Sequence, residues 1–354
     1  MRGMRALLPL RRRRSFCCSH PRDGLDFSDH SMAYQHKSLW ELVRALGVLK
    51  VCSYDWLVDN SQWLLTTGER VLGRNLMGAL VGPTFYRQFV GGATAQEMRA
   101  CVDRLDAARV RTMVACSLED DEDSGQRSAA DAASASQRRV AMYGRNGEAV
   151  LSCLRMTSEL SSESPMMQVK ISGLLPPHLL TAKDAGLTIL VDAEYANMNG
   201  GIELLGLALM VAFNERAPLV WNTYQCYLTD TPDKVGRHLC LATRMGASFG
   251  VKLVRGAYMD GERRKARECC EVDAVCSSYR KTNENYDRVL CYLLEHIRSS
   301  ERECRLVVAT HNEDSIRTAT RRMQELGLAV NDKRVSFGQL LGMYDHITFP
   351  LGRS

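Results

Sequence analysis

No apolar stretch of this chain approaches the ~18 residues that a membrane-spanning helix needs, so nothing in it reads as a span. Cysteine pairing is missing too: the thirteen cysteines are an odd number, with no CxxC and no Cys/His spacing of the zinc kind. That pattern predicts reduced, buried thiols in a reducing compartment and excludes a disulfide frame or a metal site as the organising element. The patterns GxGxxG, GxxxxGK(S/T) and HExxH are absent, which removes the usual dinucleotide, P-loop and zinc-protease readings. One GxSxG match, Gly246–Gly250, leads into a strand instead of turning from strand to helix as a nucleophile elbow must. Acids are missing from the start of the chain: Arg2, Arg5, Arg11–Arg14 and Arg22 all precede Asp23. They account for the net charge of +5, so the remainder is near neutral and no nucleic-acid footprint is expected. Residues 1–25, basic with interspersed apolar residues, have the composition of a mitochondrial transit peptide, a disordered basic tail or a basic nuclear-type patch being the alternatives.

What the chain does have is a recurring unit. Short apolar, β-branched runs end in charged or amide residues and are separated by helical stretches: Val110–Cys116, Gln168–Gly173, Leu187–Glu194, Leu219–Gln225, Phe249–Arg255, Arg305–Asn312 and Arg334–Gln339. Such alternation predicts βαβ units and a parallel sheet, and in a β/α barrel the C-terminal strand ends build the active site. Residues 38–105 have helical periodicity and predict an arm packed on a barrel at 106–354. The charged, small-residue stretch Ser117–Arg139 reads as a loop. Seven strand candidates are one short of a closed barrel, which implies a hidden eighth strand or an incomplete chain. Only Leu174–Gly186 joins the second and third candidates, barely enough for a parallel crossover.

The polar residues of these runs are the candidates for chemistry. Lys170 lies inside an apolar strand, where it is either an outward, snorkelling side chain or a site cation. Asp192 and Glu194 share a face by period-2 alternation, and an acid here can instead cap the next helix. Asn222 is expected to face the interior, with Gln225 on the other side or in a loop. Lys252 and Arg255, followed by Gly256 and Ala257, place two cations in an apolar strand, costly without anions, beside backbone that a flat or phosphorylated ligand can approach. Thr310, His311 and Asn312 end the sixth run. Cations among hydrogen-bond donors suit an anionic cofactor and substrate, and the lack of a Ser or Cys beside a base argues against acyl transfer.

In order, VKISGL, LVDAEY, WNTYQCYL, FGVKLVRGAYMD, VVATHNED and FGQLLGM resemble the strand motifs of the proline dehydrogenase family over residues 85–351, and TFYRQFVGG at Thr84–Gly92 resembles its pre-barrel helix. The resemblance is closest to the hydroxyproline-oxidising branch. It implies an α/β fold, a distorted (βα)8 TIM-type barrel with a helical N-terminal arm, here without the last strand and helix. It further implies FAD as cofactor, oxidation of the ring C5–N bond of L-proline or hydroxyproline, electron transfer to ubiquinone, and peripheral contact with the mitochondrial inner membrane from the matrix side. Carried over by position, Asp192 and Lys252 are catalytic, Lys252 standing where many relatives have arginine. Lys170, Tyr258 and Leu340 bind substrate. Ala193, Asn222, Arg255, Gly256, Ala257, Thr310 and His311 contact the flavin. An arginine pair that holds the substrate carboxylate in the family would lie beyond residue 354, which leaves an inactive truncated relative as an alternative. A Schiff-base lyase using Lys170 or Lys252 is another.

Overall fold

The computed structural model describes residues 27, 30, 34–116, 149–160, 165–170, 186–194, 196–329 and 331–352. The expected transit segment 1–25, the loop Ser117–Arg139 and nearly all of the connection Leu174–Gly186 lie outside them.

The arm begins with α1 (Leu39–Cys52), α2 (Asp55–Asp59), α3 (Ser61–Leu72) and α4 (Arg74–Val81), then a π-helical turn at Gly82–Tyr86, α5 (Arg87–Phe89) and α6 (Ala95–Ala107). Its boundaries follow from local chemistry. Ser38 and Glu41 form a capping box at the start of α1, and Thr94 and Glu97 form one at the start of α6. The helix widens where Pro83, which has no N–H to give the ladder, sits in its path.

The barrel elements follow: β1 (Met113–Cys116), a helical segment α7 at 149–160, β2 (Met166–Val169), β3 (Thr188–Val191), α8 (Ala196–Phe213), β4 (Val220–Gln225), α9 (Thr231–Arg244), β5 (Phe249–Val254), α10 (Met259–Cys269), α11 (Tyr279–Ser299), β6 (Cys304–Ala309), α12 (Glu313–Glu325), β7 (Val335–Gly338) and α13 (Asp345–Leu351). All seven strands are parallel, in the order β1 to β7. Consecutive strands pair throughout, so the sheet curls into part of a TIM-type barrel, with β1 and β7 as its edges among the described residues.

Both faces of the sheet are covered, as a parallel sheet requires. The outer layer packs Met167, Ile189, Val191, Tyr224, Phe249, Val251, Leu253, Leu306 and Val308 against the helices. The inner layer is smaller: Leu190, Trp221 and Val307, with Met113, Met166 and Ala309 against them. Trp221 occupies the space beside Gly250, where a Cβ would collide with the indole. This inner apolar floor sets the phase of each strand and therefore decides which polar residues look into the barrel.

The expectation of buried thiols holds for only part of the set. The ten cysteines whose side chains are described are free, but Cys52, Cys240, Cys269 and Cys270 are exposed. Ser248 of the GxSxG match is buried at the entry to β5, where its backbone N–H donates to Asn214 O, far along the strand from the polar ends.

Candidate active site

Counting in steps of two from the floor gives the next interior layer. Met166 leads to Gln168, Leu190 to Asp192, Trp221 to Thr223 and then Gln225, and Gly250 to Lys252. These residues line a cavity of about 1420 Å3 at the C-terminal ends of the strands. The arm supplies part of its wall through Phe89, Gly91, Met98 and Cys101.

At the base of the cavity three side chains close a triangle. Lys252 Nζ donates to Gln168 Oε1 at 2.6 Å and to Asp192 Oδ1 at 3.2 Å, while Gln168 Nε2 donates to Asp192 Oδ2 at 2.5 Å. The ammonium is nearly buried, with 9% of the residue exposed, and the carboxylate is somewhat more open. A buried cation is tolerated when a counter-charge and good acceptors surround it, and both are present. Lys252 is thus held as a fixed positive charge facing the cavity. This engagement disfavours the Schiff-base reading, which needs an uncommitted amine.

Above this layer, Arg255 extends from the end of β5 and is fixed at each nitrogen. Nε donates to Asn283 Oδ1 at 2.9 Å, one terminal amine to Thr310 Oγ1 at 2.6 Å, and the other to Ser315 Oγ at 2.9 Å. Its guanidinium lies 4.3 Å from the centre of the Tyr286 ring. Ser315 in turn donates to Asp287 at 2.6 Å, so this acid is linked to Arg255 through a hydroxyl. The next residue, Gly256, adopts φ +120, and a Cβ there would overlap the Tyr227 ring and crowd Gln225 Oε1. The bare backbone lets the Tyr227 ring pack directly against it.

His311 stacks on Tyr344 with centroids 5.0 Å apart and planes 4° from parallel. Its Nε2 accepts the Leu340 N–H at 3.0 Å, so the neutral ring carries its proton on Nδ1, and burial holds its pKa below the ordinary histidine value.

Of the residues expected at the site, the structure brings Asp192, Ala193, Lys252, Arg255, Gly256, Ala257, Tyr258, Thr310, His311 and Leu340 to one cavity. Asn222 is placed differently. It points outward, donating to Glu203 O of α8 at 3.0 Å, and packs against Gly206, whose missing side chain makes the space. Trp221 belongs to the floor, so its neighbour must face the helices. Lys170 stands one residue past the end of β2, which runs over Met166–Val169 rather than from Gln168 to Gly173. It is half-buried and does not line the cavity. Glu194 does not share the face of Asp192, because β3 ends at Val191 and alternation ends with it. Its backbone N–H bonds Asn199 and its side chain is buried away from the cavity. Gln225, expected on the other side or in a loop, instead ends β4 and lines the cavity, and Gln168 and Thr223 are polar wall residues that strand patterning alone did not single out. Thr223 is notable: its hydroxyl is buried in the wall and has no hydrogen-bond partner among the described residues.

Comparison with known proteins identifies the family and the fold. The family described as proline dehydrogenase matches residues 102–354. Hydroxyproline dehydrogenase of Xenopus laevis is 34% identical across 94% of this chain and 80% of its own length. Its counterpart in Homo sapiens is 34% identical across 91% and 82%. The mitochondrial proline dehydrogenase 1 of Homo sapiens is 42% identical over 56% of this chain, but over only 33% of its own length. Among solved structures, proline utilization A from Bdellovibrio bacteriovorus inactivated by N-propargylglycine superposes with a TM-score of 0.64 at 17% identity. That match covers 88% of this chain and 38% of the larger one, and it speaks to the fold alone.

Proposed function

Since the chain belongs to the proline dehydrogenase family and is a dehydrogenase by that membership, we propose that it uses FAD to oxidise the ring C5–N bond of L-proline or hydroxyproline. The product is the corresponding pyrroline carboxylate. Electrons pass on to a quinone at the mitochondrial inner membrane.

The observation that carries the reading is the triangle of Lys252, Asp192 and Gln168, facing a cavity at the strand ends. The residues also fit a flavin. Thr223 offers a buried hydroxyl with no partner among the described residues, and Arg255 presents a fixed cation suited to an anionic cofactor. Ala193, Ala257, Thr310 and His311 complete the wall that would hold it, with Gln225 in the place first expected of Asn222. When bound, FAD supplies the two-electron acceptor for a hydride from the substrate ring.

The chain's own groups do the rest. Lys252 presents positive charge that would stabilise the negative charge a bound acceptor gains on taking the hydride, and because two acceptors already hold the ammonium, little reorganisation is needed in the transition state. Asp192 and Gln168 keep that charge in place. His311, neutral and protonated on Nδ1, is a donor rather than a base at the wall. Tyr258 and Leu340 border the substrate space.

The test is anaerobic mixing of the purified, flavin-loaded protein with L-proline and with hydroxyproline. Bleaching of the flavin absorbance by either substrate is the expected result. A protein that binds no flavin, or whose flavin is reduced by neither, would overturn the proposal. Acid precipitation is expected to leave the yellow colour in the supernatant, because the wall groups are polar side chains and backbone with no tether among them.

A further inference from the structure

The geometry points to Gln88, on the arm and N-terminal to residues 102–354, as a positioning residue for the wall that carries Leu340 and His311. Gln88 is buried although it lies on the short helix α5. Its Nε2 donates to Gly342 O at 2.7 Å, across 254 residues of sequence. The contact is tight on both sides. Gly342 adopts φ +76, and a Cβ there would overlap Gln88 O and approach Gln88 Nε2 to 3.1 Å. Only glycine allows the arm's backbone and this turn to meet so closely.

Gly342 closes the turn that follows β7, and the turn is tied to the cavity wall by two bonds and closed on itself by a third. Leu340 N–H donates to His311 Nε2, Gln339 Nε2 donates to Thr310 O at 3.3 Å, and Met343 N–H returns to Leu340 O at 3.3 Å. Leu341 reaches the arm a second time, beside Gly91, Met98 and Cys101. The side chain of Leu340 is 66% exposed and has little packing of its own to hold it, so its position is set by its backbone. Gln88 therefore acts through the turn: it fixes where Leu340 borders the cavity and keeps the acceptor bond that selects the His311 tautomer. The functional half of this inference rests on the dehydrogenase reading; the mechanical half does not.

The experiment uses the full chain with Gln88→Leu, Gly342→Ala and the double variant. Amide hydrogen exchange in the 339–344 turn is expected to rise about tenfold in each single variant, the scale of one lost buried hydrogen bond. The double variant should add little further, because both changes break one contact. Exchange in β4 and β5 and the melting curve report whether the barrel itself survives. For substrate, KM should rise several-fold while the rate of flavin reduction at saturation and the flavin content stay near those of the unchanged protein. Unchanged exchange in the turn, or strictly additive effects of the two changes, would overturn the positioning role. Raised exchange with unaltered KM would remove its link to the substrate wall. Failure of the unchanged protein to reduce flavin would strike the functional reading and leave the exchange result standing.

Discussion

Replacing Lys252 with methionine removes the charge from the triangle while keeping an unbranched side chain of similar length. Two charge-assisted hydrogen bonds go with it, to Gln168 at 2.6 Å and to Asp192 at 3.2 Å. Breaking a buried ion pair by removing one member costs ~3–5 kcal/mol in general. Asp192 keeps its bond to Gln168 and 17% of its side chain exposed, which places the loss of stability near the lower end. The rate should suffer more visibly. Removing one preorganised electrostatic group from an active site lowers turnover by ~100- to 1000-fold, equivalent to ~2.7–4 kcal/mol. The assay is stopped-flow reduction of bound flavin under single-turnover conditions, which separates this step from reoxidation. Lys252→Arg serves as the control, since it keeps the charge and adds donors, and it should stay within about tenfold of the parent. A Lys252→Met protein that folds, carries flavin and reduces it at the parental rate would refute the electrostatic role assigned to Lys252.

Asn222→Ala should cost ~1 kcal/mol of stability by loss of the bond to Glu203 O and leave flavin content unchanged, whereas Gln225→Leu should lower flavin content; thermal melting and the ratio of flavin to protein absorbance decide, and the opposite pattern would put Asn222 back at the flavin. Gly206→Ala should destabilise by ~1–3 kcal/mol, because its Cβ would collide with the Asn222 amide, and a melting temperature equal to the parent's would contradict that packing. Burial lowers the pKa of His238, His296, His311 and His346. The unfolded chain then binds more protons than the folded one below about pH 6.5, so stability should fall as pH drops from there towards the lowered folded values; a urea midpoint that rises on acidification in this window would refute it. Residues 1–25 fused to a reporter should deliver it to mitochondria, and changing Arg11–Arg14 to Gln should disperse it; a reporter that stays mitochondrial after that change would show that the arginines are not the signal.

The strand runs were legible because each combines β-branched residues with an abrupt polar end, and a charge such as Lys252 inside such a run announces a partner or a site. The phase of a run is a different matter. A strand covered on both faces has no apolar side to contrast with a polar one, so Val220–Gln225 can be read either way, and Asn222 and Thr223 compete for the same interior position. What decides between them is Trp221 filling the gap beside Gly250 on the neighbouring strand, a cross-strand fact visible only once the register is known. Gln168 was obscured for a related reason. Met166 pairs with Met113, so β2 starts earlier and ends earlier than its β-branched core suggests, and the glutamine becomes the inward residue of its layer while Lys170 falls past the strand. Gln88 lies further still from local legibility, since its partner is a carbonyl 254 residues away and carbonyls have no sequence signature. Its only trace is a glycine in FGQLLGM, required because a second backbone arrives there. Strand ends reveal which groups do chemistry; the contacts that hold those groups in place are long-range and follow from packing.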